Sequence, residues 1–168
     1  MTAYYTESSY DRLPDDGYAT IDDRCWLALR QAWEIPMPAL DPCTRTTGTA
    51  LDGVLAGEMD GVLWPHIKSV VTNPPYRRPD VDDIAERLIQ HVRQGDIDLA
   101  AILVRSAWDC AKSRSHYWHK PFAGSVRLQF RPVWFEDRRA SPIHNFQWLI
   151  WDRRHRVVPV IRFAGADL

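Results

Sequence analysis

Asn73, Pro74, Pro75 and Tyr76 follow directly on the apolar run Val70, Val71, Thr72, and these four residue types in this order can grip a planar exocyclic amine. Each proline fixes φ and lacks an N–H, so the turn is stiff and its carbonyls point outward rather than into a helix ladder. The Asn73 side-chain oxygen and the Pro74 carbonyl can then accept two hydrogen bonds from one NH₂ group, while Tyr76 supplies a flat face for a base to stack on. Pro-Pro after Asn also starts ordinary turns. The strand ahead of it favours a site, because ligands of open α/β sheets sit just outside the carboxyl ends of strands.

A second chemical segment lies upstream. Asp41 at the end of a short apolar stretch can hold a cationic amine, and Gly48 allows close backbone approach to a ligand. Other chemistries are poorly represented. His116 and His119 are three apart with Cys110 nearby, but no fourth ligand stands at a diagnostic distance, so no metal is expected. There is no GxSxG elbow and no GxxxxGK[ST] phosphate loop. Cys25, Cys43 and Cys110 are too widely spaced for a zinc site and odd in number for a disulfide framework, which fits a reducing cytoplasm.

Charge is divided along the chain. Residues 1–76 carry 5 Lys and Arg against 11 Asp and Glu, whereas residues 77–168 carry 16 against 11, so the second half is the expected polyanion face. Lys112 to Arg139 holds seven basic side chains interleaved with Tyr117, Trp118 and Phe122. Cations among aromatic rings suit phosphates and unstacked bases, and equally a solvated face beside a core cluster. Arg105, Lys112, Arg114 and Lys120 are the candidate phosphate contacts; for Arg105 and Arg114 the competing expectation is surface or inter-helix pairing.

The elements that must position these groups fit one domain of 168 residues. Residues 1–17 read as a flexible polar arm and 18–168 as the folded unit. No apolar run is long enough to span a bilayer, and the amino terminus lacks a signal-peptide pattern. Thr20 is placed to cap a helix with Asp22 and Asp23 in its first turn and Cys25, Trp26, Leu29 and Trp33 at helical spacing, stopped by Pro36 and Pro38. Ala39 and Leu40 begin a first strand ending at Asp41. Leu51, Val54 and Leu55 suggest a short helix interrupted by glycines. Ser69 to Thr72 reads as a strand, Asp80, Asp82 and Asp83 start a helix that Gly95 ends, and Leu99 to Val104 reads as a central strand buried on both faces. Trp108 to Trp118 is expected to be helical, and Val126 to Phe130 and Phe146 to Trp151 to be strands, with Trp148 and Trp151 in the core. Such alternation predicts an α/β fold with a mostly parallel sheet and an antiparallel carboxyl-terminal edge.

Taken together, residues 18–163 resemble the S-adenosylmethionine-dependent DNA adenine methyltransferases that modify the N6 amine, particularly the phage and prophage types. The most specific match is VVTNPPY, whose Asn73, Pro74, Pro75 and Tyr76 correspond to the catalytic turn of that family. LDPCTRTTG, with Asp41, Pro42 and Gly48, looks like the loop that receives the methionine end of the cofactor. Asp60, Gly61, Leu63 and Trp64 look like the acidic-then-Trp segment shortly before the turn, and LVRSAWDCAKSR and FQWLIWDRRH look like the fifth- and seventh-strand segments. The resemblance implies a Rossmann-like class I methyltransferase fold, S-adenosylmethionine as cofactor and DNA as partner, with Asp41, Pro42, Gly48 and Asp60 at the cofactor. Only Gly48 stands where the family has two or more glycines, and the stretch from Asp41 to Asn73 is short, so the cofactor half is expected to be abbreviated and activity could be lost. The acid that binds the ribose hydroxyls in that family is left unassigned, with Glu58 the best placed candidate. The same turn chemistry also serves RNA adenine or a protein glutamine amide, and a noncatalytic nucleic-acid-binding or phage accessory protein on the same fold is the rival of a different class.

Overall fold

A computed structural model describes residues 22–43, 54–56, 66–76, 79–134 and 144–168. The expected arm at 1–17, Thr20, Gly48, Glu58, Asp60, Gly61, Leu63 and Trp64 lie outside the described residues. The chain runs through α1 (Arg24–Ala32), β1 (Ala39–Asp41), β2 (Val54–Ala56), β3 (Ser69–Thr72), α2 (Asp80–Gln94) and β4 (Leu99–Arg105). Two 3₁₀ helices, Trp108–Cys110 and Lys112–Trp118, lead into β5 (Phe122–Leu128), β6 (Phe146–Asp152) and β7 (Val160–Ala164).

Among the described residues seven strands form one sheet in the order β2-β1-β3-β4-β6-β5-β7. The β1–β2, β1–β3, β3–β4 and β5–β7 pairings are parallel; only β6 runs against its neighbours β4 and β5. The fold is therefore α/β with a mostly parallel sheet, as expected. The reversed strand, expected at the edge, lies inside the sheet, and the edge is the parallel strand β7. Val54 and Leu55, expected on a short helix, lie instead in β2 and pair with Ala39 and Leu40, while Leu51 lies outside the described residues.

Continuous apolar runs sit where both sheet faces are covered. In β4, Leu99, Ala101 and Leu103 join the layer that includes Trp26 and Leu29 of α1 with Trp148 and Ile150 of β6. Ala100, Ile102 and Val104 join the opposite layer, with Leu88 and Ile89 of α2 and Leu149 and Trp151 of β6. Trp148 and Trp151 are fully buried. Each indole finds an acceptor, the Cys25 carbonyl at 2.9 Å and the Tyr117 carbonyl at 2.9 Å respectively, so burying these large rings leaves neither N–H unpaired. A fully buried large apolar side chain contributes about 1.5–3 kcal/mol by desolvation.

Both helices have chemical boundaries. α2 opens on Asp80, Asp82 and Asp83, acids that complement the helix dipole, and closes at Gly95, whose φ of 87° is the left-handed C-cap geometry. α1 differs from expectation. Asp22 and Asp23 precede it rather than fill its first turn. Asp22 instead accepts from the Arg24 side chain at 2.8 Å and from the Val133 amide at 3.0 Å, joining the helix start to the segment after β5. Trp33 caps the other end in extended conformation, ahead of both prolines expected to stop the helix.

Trp108 to Trp118, expected as one helix, is split into 3₁₀ turns because its centre is clamped sideways. Arg114 is buried and donates to both carboxylate oxygens of Asp82 at 2.7 and 3.1 Å and to the Trp108 carbonyl at 2.7 Å. Its guanidinium also lies 4.1 Å from the Trp108 ring centroid. Three directed bonds to one side chain outweigh the regular ladder of a short helix.

Candidate active site

The chain reverses its direction of winding between β1 and β3. From β1 it passes to β2 on one side; from β3 it passes to β4 on the other, so the crevice between the carboxyl ends of β1 and β3 is a topological switch point. Asp41 ends β1 and Thr72 ends β3, with Asn73 following. Parallel pairing in the register Ala39 with Ser69 and Leu40 with Val70 brings these ends to the same rim.

Asp41 is buried at 4 % exposure. Its Oδ1 accepts from Thr72 Oγ1 at 2.5 Å and from the Cys43 amide at 3.0 Å, so the carboxylate is fixed by both strand ends. Pro42, between them, is half-buried. Burial pushes the Cys43 thiol up to about 11, which keeps it protonated at neutral pH beside the Asp41 carboxylate.

Asn73 and Pro74 are buried, Pro75 and Tyr76 half-buried. The Tyr76 hydroxyl donates to Asn73 Oδ1, closing the turn on itself. Around the ring stand Phe146, at 5.7 Å between centroids, and Trp134, edge-on at 6.4 Å. The Arg105 guanidinium lies 5.7 Å from the Tyr76 centroid, and Arg105 Nε is buried without a hydrogen-bond partner among the described residues. The acceptor and the ring expected to receive a base are thus engaged by the protein's own groups.

Asp41, Pro42, Asn73, Pro74, Pro75, Tyr76 and Arg105 share one rim. The other candidate cations do not join it. Arg114, a candidate phosphate contact with inter-helix pairing as its competing expectation, is enclosed between α2 and the 3₁₀ segment and committed to Asp82. Lys112 and Lys120 are exposed, Lys112 on the second 3₁₀ helix and Lys120 just before β5. Thr72, Trp134 and Phe146 were not singled out from sequence. Thr72 could have been found as the polar residue closing an otherwise apolar strand; the two aromatic rings carried no local signal.

Among the described residues no group of three or more His, Cys, Asp or Glu is arranged to hold a metal ion, and no helix is long and apolar enough to cross a membrane. His116 pairs with Glu86 at 3.1 Å. Comparison with known proteins finds no matching family model, no matching curated protein and no matching solved structure.

Proposed function

We propose that the chain is a Rossmann-like class I methyltransferase that moves a methyl group from S-adenosylmethionine to the N6 amine of adenine in DNA. The observation that carries this reading is the pairing of a buried, hydrogen-bonded carboxylate at the end of β1 with an Asn-Pro-Pro-Tyr turn at the end of β3, on the two sides of one switch point.

The donor set suits the cofactor. A buried carboxylate held by two donors is pre-organised to accept from an ammonium group, and Asp41 with Pro42 would hold the methionine end. When bound, S-adenosylmethionine supplies an activated methyl group. The protein's own share is positioning. A target adenine leaves its stack at a cost of a few kcal/mol and lies against Tyr76. Asn73 Oδ1 and the Pro74 carbonyl accept the two amine hydrogens, which aims the nitrogen lone pair and stabilises positive charge growing there. The Tyr76 hydroxyl shares or yields Asn73 Oδ1 as the base arrives, since an amide oxygen has two lone pairs. The Arg105 guanidinium leaves the ring face to the base.

A noncatalytic nucleic-acid-binding protein is the second reading, favoured by one observation: Tyr76 and Arg105 already fill the positions the base requires. Titration calorimetry with S-adenosylmethionine and its demethylated product, beside methylation assays on adenine-containing DNA, separates the two. Cofactor uptake with methylation that Asn73→Ala abolishes supports the enzyme. DNA binding with no heat of cofactor binding refutes it.

A further inference from the structure

We infer that a continuous track along the bare side of β5 and β7 binds single-stranded nucleic acid, separately from the Asn73 corner. This rests on the nucleic-acid part of the function proposed above and not on methyl transfer.

Two grooves make the track. The first, of about 880 Å³, lies at the amino end of the parallel strands, where α2 finishes, β5 and β7 begin and β6 ends. Arg93, Lys120, Arg153 and Arg156 line it, and no carboxylate does. Arg153 is held by Asp98 at 2.7 Å and Arg93 donates to the His116 carbonyl at 3.3 Å. Lys120 and Arg156 are exposed and have no ion-pair partner among the described residues. Cations concentrated in a concave surface that no acid lines raise the local concentration of a polyanion.

The second groove, of about 550 Å³, shares Trp118, Phe122 and Pro159 with the first and continues to Ser106 and Arg127. Its path follows β5 from Phe122 to Arg127, about 17 Å at strand spacing. The floor there is Ile161, 61 % exposed, over the buried Leu149, and among the described residues no helix covers this side of β7. Arg127 Nε is buried with no hydrogen-bond partner among the described residues. The one acid lining this groove, Asp109, is already engaged by the Gln147 amide at 2.9 Å and the Cys110 thiol at 3.3 Å. Ser106, just past the end of β4, marks the far end of this groove.

An apolar and aromatic floor edged by cations fits an unpaired strand, whose bases can lie on the floor while phosphates meet the arginines. A duplex would offer only phosphates and leave the floor uncovered. The track also extends past what a single flipped base needs, which a chain-like ligand explains.

The test is fluorescence anisotropy with a labelled oligothymidylate, which contains no adenine and so reads the track independently of the Asn73 corner. The intact chain should bind it more tightly than a duplex of equal length. Arg156→Glu and Lys120→Glu should each weaken binding at least about tenfold and reduce the salt slope by about 0.7 per lost phosphate contact. Ile161→Glu, at an exposed position, should weaken it without lowering the melting temperature. Arg30→Glu, an equal charge change on the exposed side of α1, should leave it unchanged. The inference is overturned if oligothymidylate does not bind at low salt, if Arg30→Glu weakens binding as much as Arg156→Glu, or if polyglutamate displaces the strand as well as unlabelled oligothymidylate. Asn73→Ala should leave this binding intact, so loss of methylation and loss of the track are told apart.

Discussion

Thr72 Oγ1 donates to Asp41 Oδ1 at 2.5 Å, tying the last residue of β3 to the last residue of β1. The bond crosses the switch point and holds a buried carboxylate beside the Asn73 turn. Thr72→Val keeps the shape and deletes the donor. A buried acceptor losing one partner costs about 1–3 kcal/mol, so the free energy of unfolding, measured by denaturant titration, should fall by that amount. Affinity for S-adenosylmethionine should fall with it, and Thr72→Ser should restore both.

In the proposed function Tyr76 has two roles that substitution can separate. Tyr76→Phe keeps the ring and removes a donor from Asn73 Oδ1, so methylation of DNA adenine should be retained. Tyr76→Ala removes the stacking surface, worth about 1–3 kcal/mol per base, and should cut methylation by at least about tenfold. Steady-state assays on the two variants check the order.

The Arg114 and Asp82 pair is asymmetric: the Arg114 side chain is 4 % exposed and that of Asp82 31 %. Asp82→Ala strands a guanidinium in the interior, whereas Arg114→Met replaces it with an apolar side chain. Breaking a buried pair from one side costs about 3–5 kcal/mol, and replacing the buried charge costs much less. Denaturant titration should therefore rank Asp82→Ala as clearly the more damaging. If Arg114→Met loses more stability, the clamp is misassigned.

Asp152 sets an acid limit on the fold. Burial raises its carboxyl, but hydrogen bonds from the Arg154 side chain, the Trp33 indole and the Arg154 amide outweigh this and hold it below the ordinary carboxylate value. The group is depressed in the folded state, so its stabilisation is fully present above about pH 4, the unfolded value, and is lost as pH falls through the lower folded value. Asp22 shifts in the same direction. Unfolding followed between neutral pH and about pH 2 should show stability dropping in that acid range, and Asp152→Asn should be less stable at neutral pH with a shallower acid decline.

The strands and helix that deliver the corner were legible because they are written as local patterns: the apolar run of β4, the short apolar run of β3, the acid-to-glycine span of α2. β2 was not, since a three-residue strand between glycines has no periodicity to read. β7 escaped notice because Ile161 and Phe163 face solvent, leaving only one buried side to mark the strand. At the site, the Asn73 turn was visible in four consecutive letters. The engagement of Tyr76 by Arg105, and of Arg114 by Asp82 across 32 positions, depends on tertiary approach and leaves no trace in local sequence.

The opposed direction of β6 has a consequence for how the rim is assembled. Its neighbours bring their finishing residues to that edge, but β6 brings its first, Phe146, so the chain between Trp134 and Phe146 starts and stops beside Tyr76. Trp134 and Phe146, twelve positions apart, are thereby brought to one ring, so substitution of either bears on the Tyr76 corner while the hydrogen-bonded ladder beneath keeps its register.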